Sequence, residues 1–464
     1  MASLVPDDFI FGVATAGFQI EGGYNGLKEP ANNWSEWEAL GRVEPSGIAL
    51  DFWNRYKTYL ELAKSIGVNS FRLSVEWTRC VPEQNKVDQK AIKNYQKILA
   101  AFKDYDLEPL ITLHHFCHPI WLGVDFWLND KSPEIFSNWV KIAVENFGDF
   151  SNKWVTINEP NIYNIMSYAL GQFPPGKFLN LKKTLKAIDN LYSAHIKAYE
   201  TIKGIQPDSI VGINNLCFSI YEMDKLFIDI LLSRLYKIEP KDLIAWLKER
   251  KARYYQLMIS PNIFETFSRK FIEKITNYKV VLKNTRKLLQ ETNLEKVLDV
   301  IQIDFYNPLA SSHLRLPGHK TAGGRSFLPA RMLWDDLINP DAFLTYLKAN
   351  NEENLPLWVV ENGMGTRVKN GRAYPRGDGW DRATFIKQYL SKIPEAIKEN
   401  INLKGYWHWT LADNYEWGSY EPRFGIFGVD RERGLKVLPT DVLGYDAKGA
   451  YKEMIEQLRN SNVS

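Results

Sequence analysis

The stretch WVTINEP, residues 154–160, is the most informative part of the sequence for the fold. It is a β-branched and aromatic run that ends on a glutamate and a proline, which is the pattern of a buried strand with a polar group at its carboxyl end. The stretch LWVVENG, residues 357–363, has a similar form. Because a carboxylate is costly to bury, Glu159 and Glu361 together predict one paired site for acid, base or nucleophile chemistry.

Short apolar runs of this kind alternate with longer helical patterns along the chain. The predicted strands are Phe9–Ala14, Ser70–Val75, Pro109–His114, Trp154–Asn158, Ile210–Asn215, Leu298–Phe305, Leu357–Glu361 and Gly405–Leu411. The predicted helices are Phe52–Ile66, Gln89–Tyr105, Pro133–Phe147, Leu181–Lys203, Asp242–Thr276, Asp341–Ala349, Asp381–Asn400 and Ala447–Leu458. This alternation predicts a (β/α)8 TIM barrel, whose active site lies at the carboxyl ends of the strands. Both glutamates fall at such ends.

The length and composition are those of an ordinary globular protein. The chain has 464 residues, of which 45% are hydrophobic and 24% are charged, and it shows no Pro/Gly/Ser linker. Because TIM barrels of more than about 250 residues are common, residues 1–464 are predicted to form a single α/β domain with elaborated loops.

Charge and sorting signals restrict the possible partners and the location. The net charge of +3 is too small to create the strong positive field that binds phosphate backbones, so nucleic acid is not an expected partner. The sequence shows no secretory signal and no apolar run long enough for a membrane span. The cysteines Cys80, Cys117 and Cys217 are odd in number and dispersed, which argues against a disulfide framework. These features predict a cytoplasmic protein.

The region from Glu222 to Val297 is long, rich in lysine and helical in pattern. It includes Lys225–Lys237, which is typical of an amphipathic helix packed on the barrel. A mobile lid or a membrane-surface contact is the alternative for this region.

Hydrolysis of an acetal requires one carboxyl group to protonate the leaving oxygen and a second to attack or stabilise the oxocarbenium-like carbon. Glu159 and Glu361 could fill both roles, since closure of the barrel would bring them together. The alternative is that each glutamate separately caps a helix or pairs with an arginine.

Further motifs accompany the two glutamates. They are FGVATAGFQIEGG near the amino terminus, FRLSVEWTR at the second predicted strand, LHHFCHP at the third and WHWTLADNYEWGSYEPRFGIFGVD at the eighth. Together with TINEP and VVENGM, they resemble the motifs of glycoside hydrolase family 1, the retaining β-glucosidases and β-galactosidases. The resemblance spans almost the whole chain.

The resemblance implies a role for each residue around the two glutamates. Glu159 would be the general acid/base and Glu361 the nucleophile that forms a covalent glycosyl-enzyme. Arg72 would hold Glu361 ionised, and the hydroxyl of Tyr306 would contact it. Asn158 would bind the sugar 2-hydroxyl, a contact that tightens in the transition state.

The resemblance also implies a sugar-binding set, in which Gln19, His115, Glu416 and Trp417 hold the 3-, 4- and 6-hydroxyls over the platform of Trp409. The full predicted set is Gln19, His115, Asn158, Trp409, Glu416, Trp417 and Phe424. Relatives that act on 6-phosphosugars replace the acidic residue at position 416, because a carboxylate repels phosphate. Glu416 therefore favours unphosphorylated sugars.

The chain departs from the family pattern at several positions. Asp304 stands where the family usually has Asn, which adds a carboxylate near the dyad. The loop after Trp417 is about one residue shorter than usual. On the aglycone side, Phe116 and Asn161 stand where Trp is common, and Trp334 is displaced by about one position. These differences predict a distinct acceptor pocket.

The resemblance implies a retaining exo-β-glycosidase that hydrolyses unphosphorylated β-D-glucosides, and also β-D-fucosides or β-D-galactosides, by double displacement. It implies a small-molecule β-glycoside as the partner, without a cofactor or a metal. One alternative is a transglycosylase that uses the same dyad with a sugar or lipid acceptor. Another is a non-catalytic glycan-binding barrel. Membrane or glycolipid contact through Lys225–Lys237 is a further alternative.

Overall fold

The computed structural model describes residues 3–258, 263–306, 320–321, 324–325 and 338–460. Eight parallel strands close into a barrel, in which β1 pairs with both β2 and β8. The strands are β1 (Ile10–Ala14), β2 (Ser70–Ser74), β3 (Glu108–Thr112), β4 (Lys153–Asn158), β5 (Ile210–Leu216), β6 (Ile301–Phe305), β7 (Leu357–Asn362) and β8 (Leu403–Trp409). The predicted (β/α)8 TIM barrel is therefore confirmed.

Helices surround the barrel and bury an apolar face against it. The longer helices are α1 (Phe52–Ser65), α2 (Gln89–Ala101), α3 (Ser132–Phe147), α4 (Leu181–Ile205), α5 (Lys225–Leu235), α6 (Leu243–Leu257), α7 (Ile263–Ile275), α8 (Lys283–Glu291), α9 (Pro340–Asn350), α10 (Arg382–Leu390) and α11 (Ala447–Arg459). Short helices follow some strands directly, and the one after β4 spans Pro160–Asn164. A small antiparallel sheet follows β7 and consists of Thr366–Lys369, Arg372–Tyr374 and Pro422–Arg423.

Two predicted helices are divided in the structure. The predicted helix Asp242–Thr276 is found as α6 and α7, and Pro261 lies in the sequence between them. The predicted helix Asp381–Asn400 is found as α10 and a second helix, Lys392–Lys398. Pro394 explains this second division, because its ring would clash with the carbonyl of residue 390 in a continuous helix. These two predictions were wrong about continuity.

Helix α5 lies within the Lys225–Lys237 stretch and contacts α6 and α8. All residues from Lys225 to Ser233 are buried. The Lys225 ammonium lies 2.6 Å from Asp229 and 3.0 Å from Glu352. The guanidinium of Arg234 donates to two backbone carbonyls. These two cations are therefore bound within the protein. No helix in the described ranges is long and apolar enough to cross a membrane.

The pairing register of the strands brings polar side chains together at their carboxyl ends. Asn158 of β4 lies beside Asn214 of β5, and Asp304 of β6 lies beside Glu361 of β7. In each pair of strands the register shifts immediately before these residues. Such irregularities are common next to active sites, where they redirect a side chain.

Candidate active site

A cavity of about 570 Å³ opens at the carboxyl ends of the strands. Seven of the residues predicted from sequence line it, namely His115, Glu159, Tyr306, Glu361, Trp409, Glu416 and Trp417. The other predicted residues are buried but are not part of the lining, and these are Gln19, Arg72, Asn158 and Phe424. The structure therefore gathers the predicted set into one region, with seven side chains facing the cavity.

Three buried carboxyl groups meet at the base of this region. Each of Glu159, Asp304 and Glu361 has an oxygen within 4.8 Å of an oxygen of the other two. Glu159 follows β4 directly and has a left-handed backbone, with φ of 39°. This conformation is unusual for a residue with a side chain, and such strain is concentrated at functional sites. The two glutamates that are far apart in sequence are thus neighbours.

Arg72 connects the ends of several strands. Its Nη1 donates to Oε1 of Glu361 at 2.7 Å, and its Nη2 donates to Oδ1 of Asn158. Its Nε donates to Oγ1 of Thr112 at 3.0 Å. Both Arg72 and Glu361 are buried, and a buried ion pair is stable only when its remaining polar atoms are also bonded. The guanidinium therefore favours the charged form of Glu361.

Burial raises the pKa of both glutamates, but their neighbours act in opposite directions. At Glu361, Arg72 and the hydroxyl of Tyr306 oppose the effect of burial on the pKa. At Glu159, the charge of Glu361 adds to burial and outweighs Arg72, so the pKa is held well above its usual range. On raising the pH, Glu361 therefore loses its proton before Glu159 does. Over the intermediate range, one group is an anion and the other an acid.

Tyr306 and His115 flank Glu361. The Tyr306 hydroxyl donates to Oε2 of Glu361 at 2.8 Å. Burial raises the pKa of Tyr306, so its hydroxyl remains a donor. Nε2 of His115 lies 4.0 Å from Oε1 of Glu361, which is too long for a hydrogen bond. Burial, together with the charge of Arg72, lowers the pKa of His115 well below its usual range. Its imidazole is therefore neutral at neutral pH.

Several buried polar atoms here have no hydrogen-bond partner among the described residues. They include Oε1 of Gln19, Nδ2 of Asn158 and Nδ1 of His115. Nε2 of Gln19, in contrast, donates to the Tyr415 carbonyl at 2.6 Å and to Glu416 at 3.2 Å. Because buried polar groups are almost always paired, such atoms are suited to hydrogen bonding with a polar ligand.

Aromatic side chains form one wall of the cavity. The His115 ring stacks against Trp409 and Trp417, with ring centroids 5.9 and 5.6 Å apart. Flat aromatic faces of this kind can pack against the apolar face of a sugar ring. Phe424 instead meets the Tyr306 ring edge-on, at 6.2 Å between centroids. Phe424 therefore packs against the ring of Tyr306 and does not line the cavity.

Sequence reasoning missed Asn214. Its Nδ2 donates to Oδ1 of Asn158 at 2.9 Å and also to Oδ2 of Asp304. A signal was present, because two consecutive asparagines interrupt the otherwise apolar end of β5. Several apolar side chains of the cavity were also missed, namely Ile162, Met166, Phe173 and Leu216.

The residues predicted to differ from the family on the aglycone side do not all line the cavity. Phe116 lines the cavity. Asn161 is absent from the lining, because its amide binds the carbonyls of Leu216 and Met223 and the backbone N–H of Leu216. Trp334 lies outside the described residues. Gly418 and Ser419, in the loop after Trp417, also line the cavity.

The three carboxyl groups are the only group of described residues whose spacing suits a metal ion. Two features oppose that use. Arg72 already places a cation on Oε1 of Glu361, and Tyr306 occupies Oε2. The donor set therefore fits the guanidinium better than an added metal ion.

Comparisons with known proteins agree with this arrangement. The model of the family described as glycosyl hydrolase family 1 matches residues 1–440. The chain is 28% identical over 453 residues to "Beta-glucosidase A" of Thermotoga maritima, covering 92% of this chain and 93% of the relative. It is also 28% identical over 470 residues to a "6-phospho-beta-galactosidase" of Clostridium acetobutylicum, covering 91% of this chain and 92% of the relative.

A similar fold is seen in solved structures. The structure of a family 1 β-glucosidase from Thermotoga maritima superposes with a TM-score of 0.76 and 24% identity, covering 98% of this chain and 99% of that chain. The superposition shows the same fold, and the family match over residues 1–440 gives the assignment. The chain belongs to glycosyl hydrolase family 1.

Proposed function

We propose that the protein is a retaining exo-β-glycosidase that hydrolyses unphosphorylated β-D-glucosides. The observation that carries the proposal is the short separation of Glu159 and Glu361, which have oxygens within 4.8 Å of each other. Retaining enzymes hold their two carboxyl groups about 5–5.5 Å apart, whereas inverting enzymes separate them by roughly 6.5–9.5 Å to admit a water. The spacing supports a double displacement.

In the first half-reaction, the carboxylate of Glu361 attacks the anomeric carbon. Glu159 gives its proton to the glycosidic oxygen as the bond from that oxygen to the anomeric carbon breaks. Arg72 and Tyr306 support this assignment, because they bind the two oxygens of Glu361 and favour its anion in the free enzyme. The aglycone leaves as a neutral alcohol.

In the second half-reaction, the Glu159 carboxylate removes a proton from water. The resulting hydroxide attacks the anomeric carbon, and the bond to Glu361 breaks. Formation of the glycosyl ester removes the negative charge that raised the pKa of Glu159, so this pKa falls when the group must act as a base. Two inversions at one carbon leave the β configuration unchanged.

Sugar recognition is assigned to the polar atoms without partners and to the aromatic wall. Nδ2 of Asn158 would bind the 2-hydroxyl, while Oε1 of Gln19 and the Glu416 carboxyl would bind hydroxyls at the far side of the ring. A carboxyl and an amide side by side can accept and donate to adjacent hydroxyls in fixed directions. Gln19 and Glu416 have this arrangement, since they are bonded to each other.

The preference for unphosphorylated sugars rests on Glu416. Burial, with the charge of Glu361, raises the pKa of Glu416 to about 8, although hydrogen bonds from Trp409 and Gln19 oppose this. The charge of Glu361, which adds to this shift, makes the electrostatic potential at Glu416 more negative and so disfavours a phosphate dianion. A 6-phosphoglycosidase is the second candidate, because Arg42 and Arg367 also line the cavity and some relatives carry that name.

The stereochemical course tests the reaction class. Proton NMR of an aryl β-D-glucoside digest should show the β anomer as the first product, followed by slow mutarotation. The α anomer as first product would overturn the double displacement. The absence of any hydrolysis across a panel of aryl β-D-glycosides would favour a non-catalytic glycan-binding barrel.

Replacement of Glu416 by Gln tests the substrate assignment. At a pH above the pKa of Glu416, we expect kcat/KM for an aryl β-D-glucoside to fall about 100-fold, because the charge-assisted hydrogen bonds of the ionised carboxyl become weaker neutral ones. The ratio of glucoside to glucoside 6-phosphate activity should fall as well. Kinetics on both substrates measure this ratio. Glu44→Gln, which removes an exposed carboxylate bonded to the backbone of Tyr420, should leave the ratio unchanged. A native enzyme that prefers the 6-phosphate would contradict the assignment.

Replacement of Arg72 by Lys should move the acid limb of the kcat/KM profile to higher pH. Arg72 lowers the pKa of Glu361 against burial, and a single ammonium cannot keep all of its bonds. The nucleophile would then become ionised only at higher pH, by about one unit, with activity at neutral pH reduced on the order of 100-fold. Arg234→Lys, an equivalent change on α5, is the control and should not move the limb. An unmoved limb in Arg72→Lys would refute the role of Arg72.

A further inference from the structure

Asp304 is a third carboxyl group in the site, and the double displacement described above does not use it. It lies fully buried in β6, with an oxygen within 4.8 Å of oxygens of Glu159 and Glu361. Its Oδ2 accepts a hydrogen bond from Asn214, whereas Oδ1 meets no donor group among the described residues. A buried carboxylate needs donors on both oxygens, but a carboxylic acid can itself be the donor. The surroundings of Oδ1 therefore fit a carboxylic acid.

The charges around Asp304 lead to the same conclusion. The titratable groups that face it from the neighbouring strands are Arg72, Glu159, Cys217, Tyr306 and Glu361. Burial raises the pKa of the Cys217 thiol and of the Tyr306 hydroxyl, so both are neutral. Arg72 is then the one cation in this set, against three carboxyl groups. Since an uncompensated buried charge is costly, two of the three carboxyl groups should retain protons.

The hydrogen bonds indicate which carboxyl group is ionised. Glu361 has Arg72 on one oxygen and Tyr306 on the other. Asp304 accepts a hydrogen bond from the neutral amide of Asn214, and the charges of Glu361 and Glu159 add to burial and outweigh Arg72, so the pKa of Asp304 is raised well above its usual range. Glu361 is therefore the anion, and Glu159 and Asp304 are the two acids.

We propose that Asp304 remains a neutral carboxylic acid in the working enzyme and acts as a positioning residue for the acid/base Glu159. When Glu159 has given its proton to the leaving oxygen, the O–H of Asp304 donates a hydrogen bond to the new carboxylate. Glu159 then takes a proton from water in the second half-reaction, and Asp304 ends with the proton that it held at the start. This inference rests on the proposed double displacement.

The protonation state of Asp304 sets the direction in which its replacement moves the alkaline limb of the pH profile. In the free enzyme, the alkaline limb of kcat/KM reports loss of the Glu159 proton. An O–H donor from Asp304 stabilises the Glu159 carboxylate more than an amide N–H would, because O–H···O⁻ hydrogen bonds are shorter and stronger. Asp304→Asn should therefore move the limb to higher pH, by roughly half a unit or more, and Asp304→Ala should move it further. An ionised Asp304 predicts the opposite direction, since its removal would lower the pKa of Glu159.

The experiment compares pH profiles of kcat/KM for the native enzyme, Asp304→Asn and Asp304→Ala on a phenyl β-D-glucoside. Asp189→Asn is the matched control, because it makes the same change in a buried carboxyl of α4 that caps α8, and its limb should stay in place. The position of the limb does not depend on how much of each variant is folded. An alkaline limb that moves to higher pH in the two Asp304 variants supports the proposal. A limb that moves to lower pH or stays in place overturns it.

Infrared spectroscopy gives a second measurement that needs no activity. In the Glu159→Gln background at neutral pH, the carboxylic-acid C=O band should lose intensity when Asp304→Asn is added. An equal loss from the carboxylate bands instead would show an ionised Asp304 and overturn the proposal. Failure of the proposed function is distinct, because the native enzyme would then show no hydrolysis whose pH profile could be compared.

Discussion

The Glu361→Gly variant should lose hydrolysis of aryl β-D-glucosides by a factor on the order of 10⁵ or more, because the proposed glycosyl-enzyme forms on the Glu361 carboxylate. Neighbouring groups would remain, including Arg72 and Tyr306, which bind both oxygens of Glu361 in the native site. Added azide or formate should restore cleavage of a dinitrophenyl glucoside, since a small anion can enter the space vacated by the carboxylate. Steady-state kinetics with and without the anion measure both effects.

The stereochemistry of the rescued product identifies the residue. An anion entering from the side of Glu361 attacks opposite to the leaving group, so Glu361→Gly should yield the α-glycosyl azide. The native enzyme with azide is the control and should release glucose. If Glu361→Gly retained native turnover, or if it yielded the β-azide, the assignment of Glu361 as nucleophile would be wrong.

The Glu159→Ala variant should show an effect that depends on the leaving group. For a phenyl or alkyl glucoside, kcat/KM should fall about 10³- to 10⁴-fold, because a poor leaving group needs its oxygen protonated. A dinitrophenyl glucoside should still form the glycosyl-enzyme at a nearly native rate. Its KM should fall with kcat, since the intermediate accumulates without a base to activate water. Kinetics on the two substrates measure the contrast.

The pH profile and the azide product complete this test. Burial and the charge of Glu361 hold the pKa of Glu159 well above its usual range, so the native enzyme keeps its acid at neutral pH and loses activity as pH rises through that pKa. The alkaline limb should be missing from Glu159→Ala. Azide should rescue it with formation of the β-azide, the reverse of the Glu361→Gly result. Equal losses for both leaving groups would argue against Glu159 as the acid.

The barrel strands were predictable because their signal is local. The apolar, β-branched character of β4 and β7 follows from burial on both faces of a parallel sheet. Helix continuity was predicted less well. The effect of Pro394 is also local, but the apolar periodicity on both sides of it favoured one long helix over two. The error shows that a proline inside a periodic pattern should outweigh the periodicity.

The family motifs predicted which residues gather at the site but not how they contact one another. Asn214 carries no motif, and only the register of β4 against β5 places it between Asn158 and Asp304. The position of Asn161 directly after the NEP motif suggested a place on the aglycone side of the cavity, yet its amide binds the chain near β5. Neighbours in sequence can point in opposite directions, so adjacency to a motif does not establish a contact.

The sequence by itself predicted the barrel, the family and the two glutamates that meet at the site, because strand periodicity and motif chemistry are properties of short segments. The tertiary structure decided the proton arrangement. Whether Glu361 is an anion and Glu159 an acid depends on burial, on the 2.7 Å contact to Arg72 and on a third carboxyl group within 4.8 Å. These electrostatic interactions join residues of different strands. Their strength depends on distances that only the closed barrel sets.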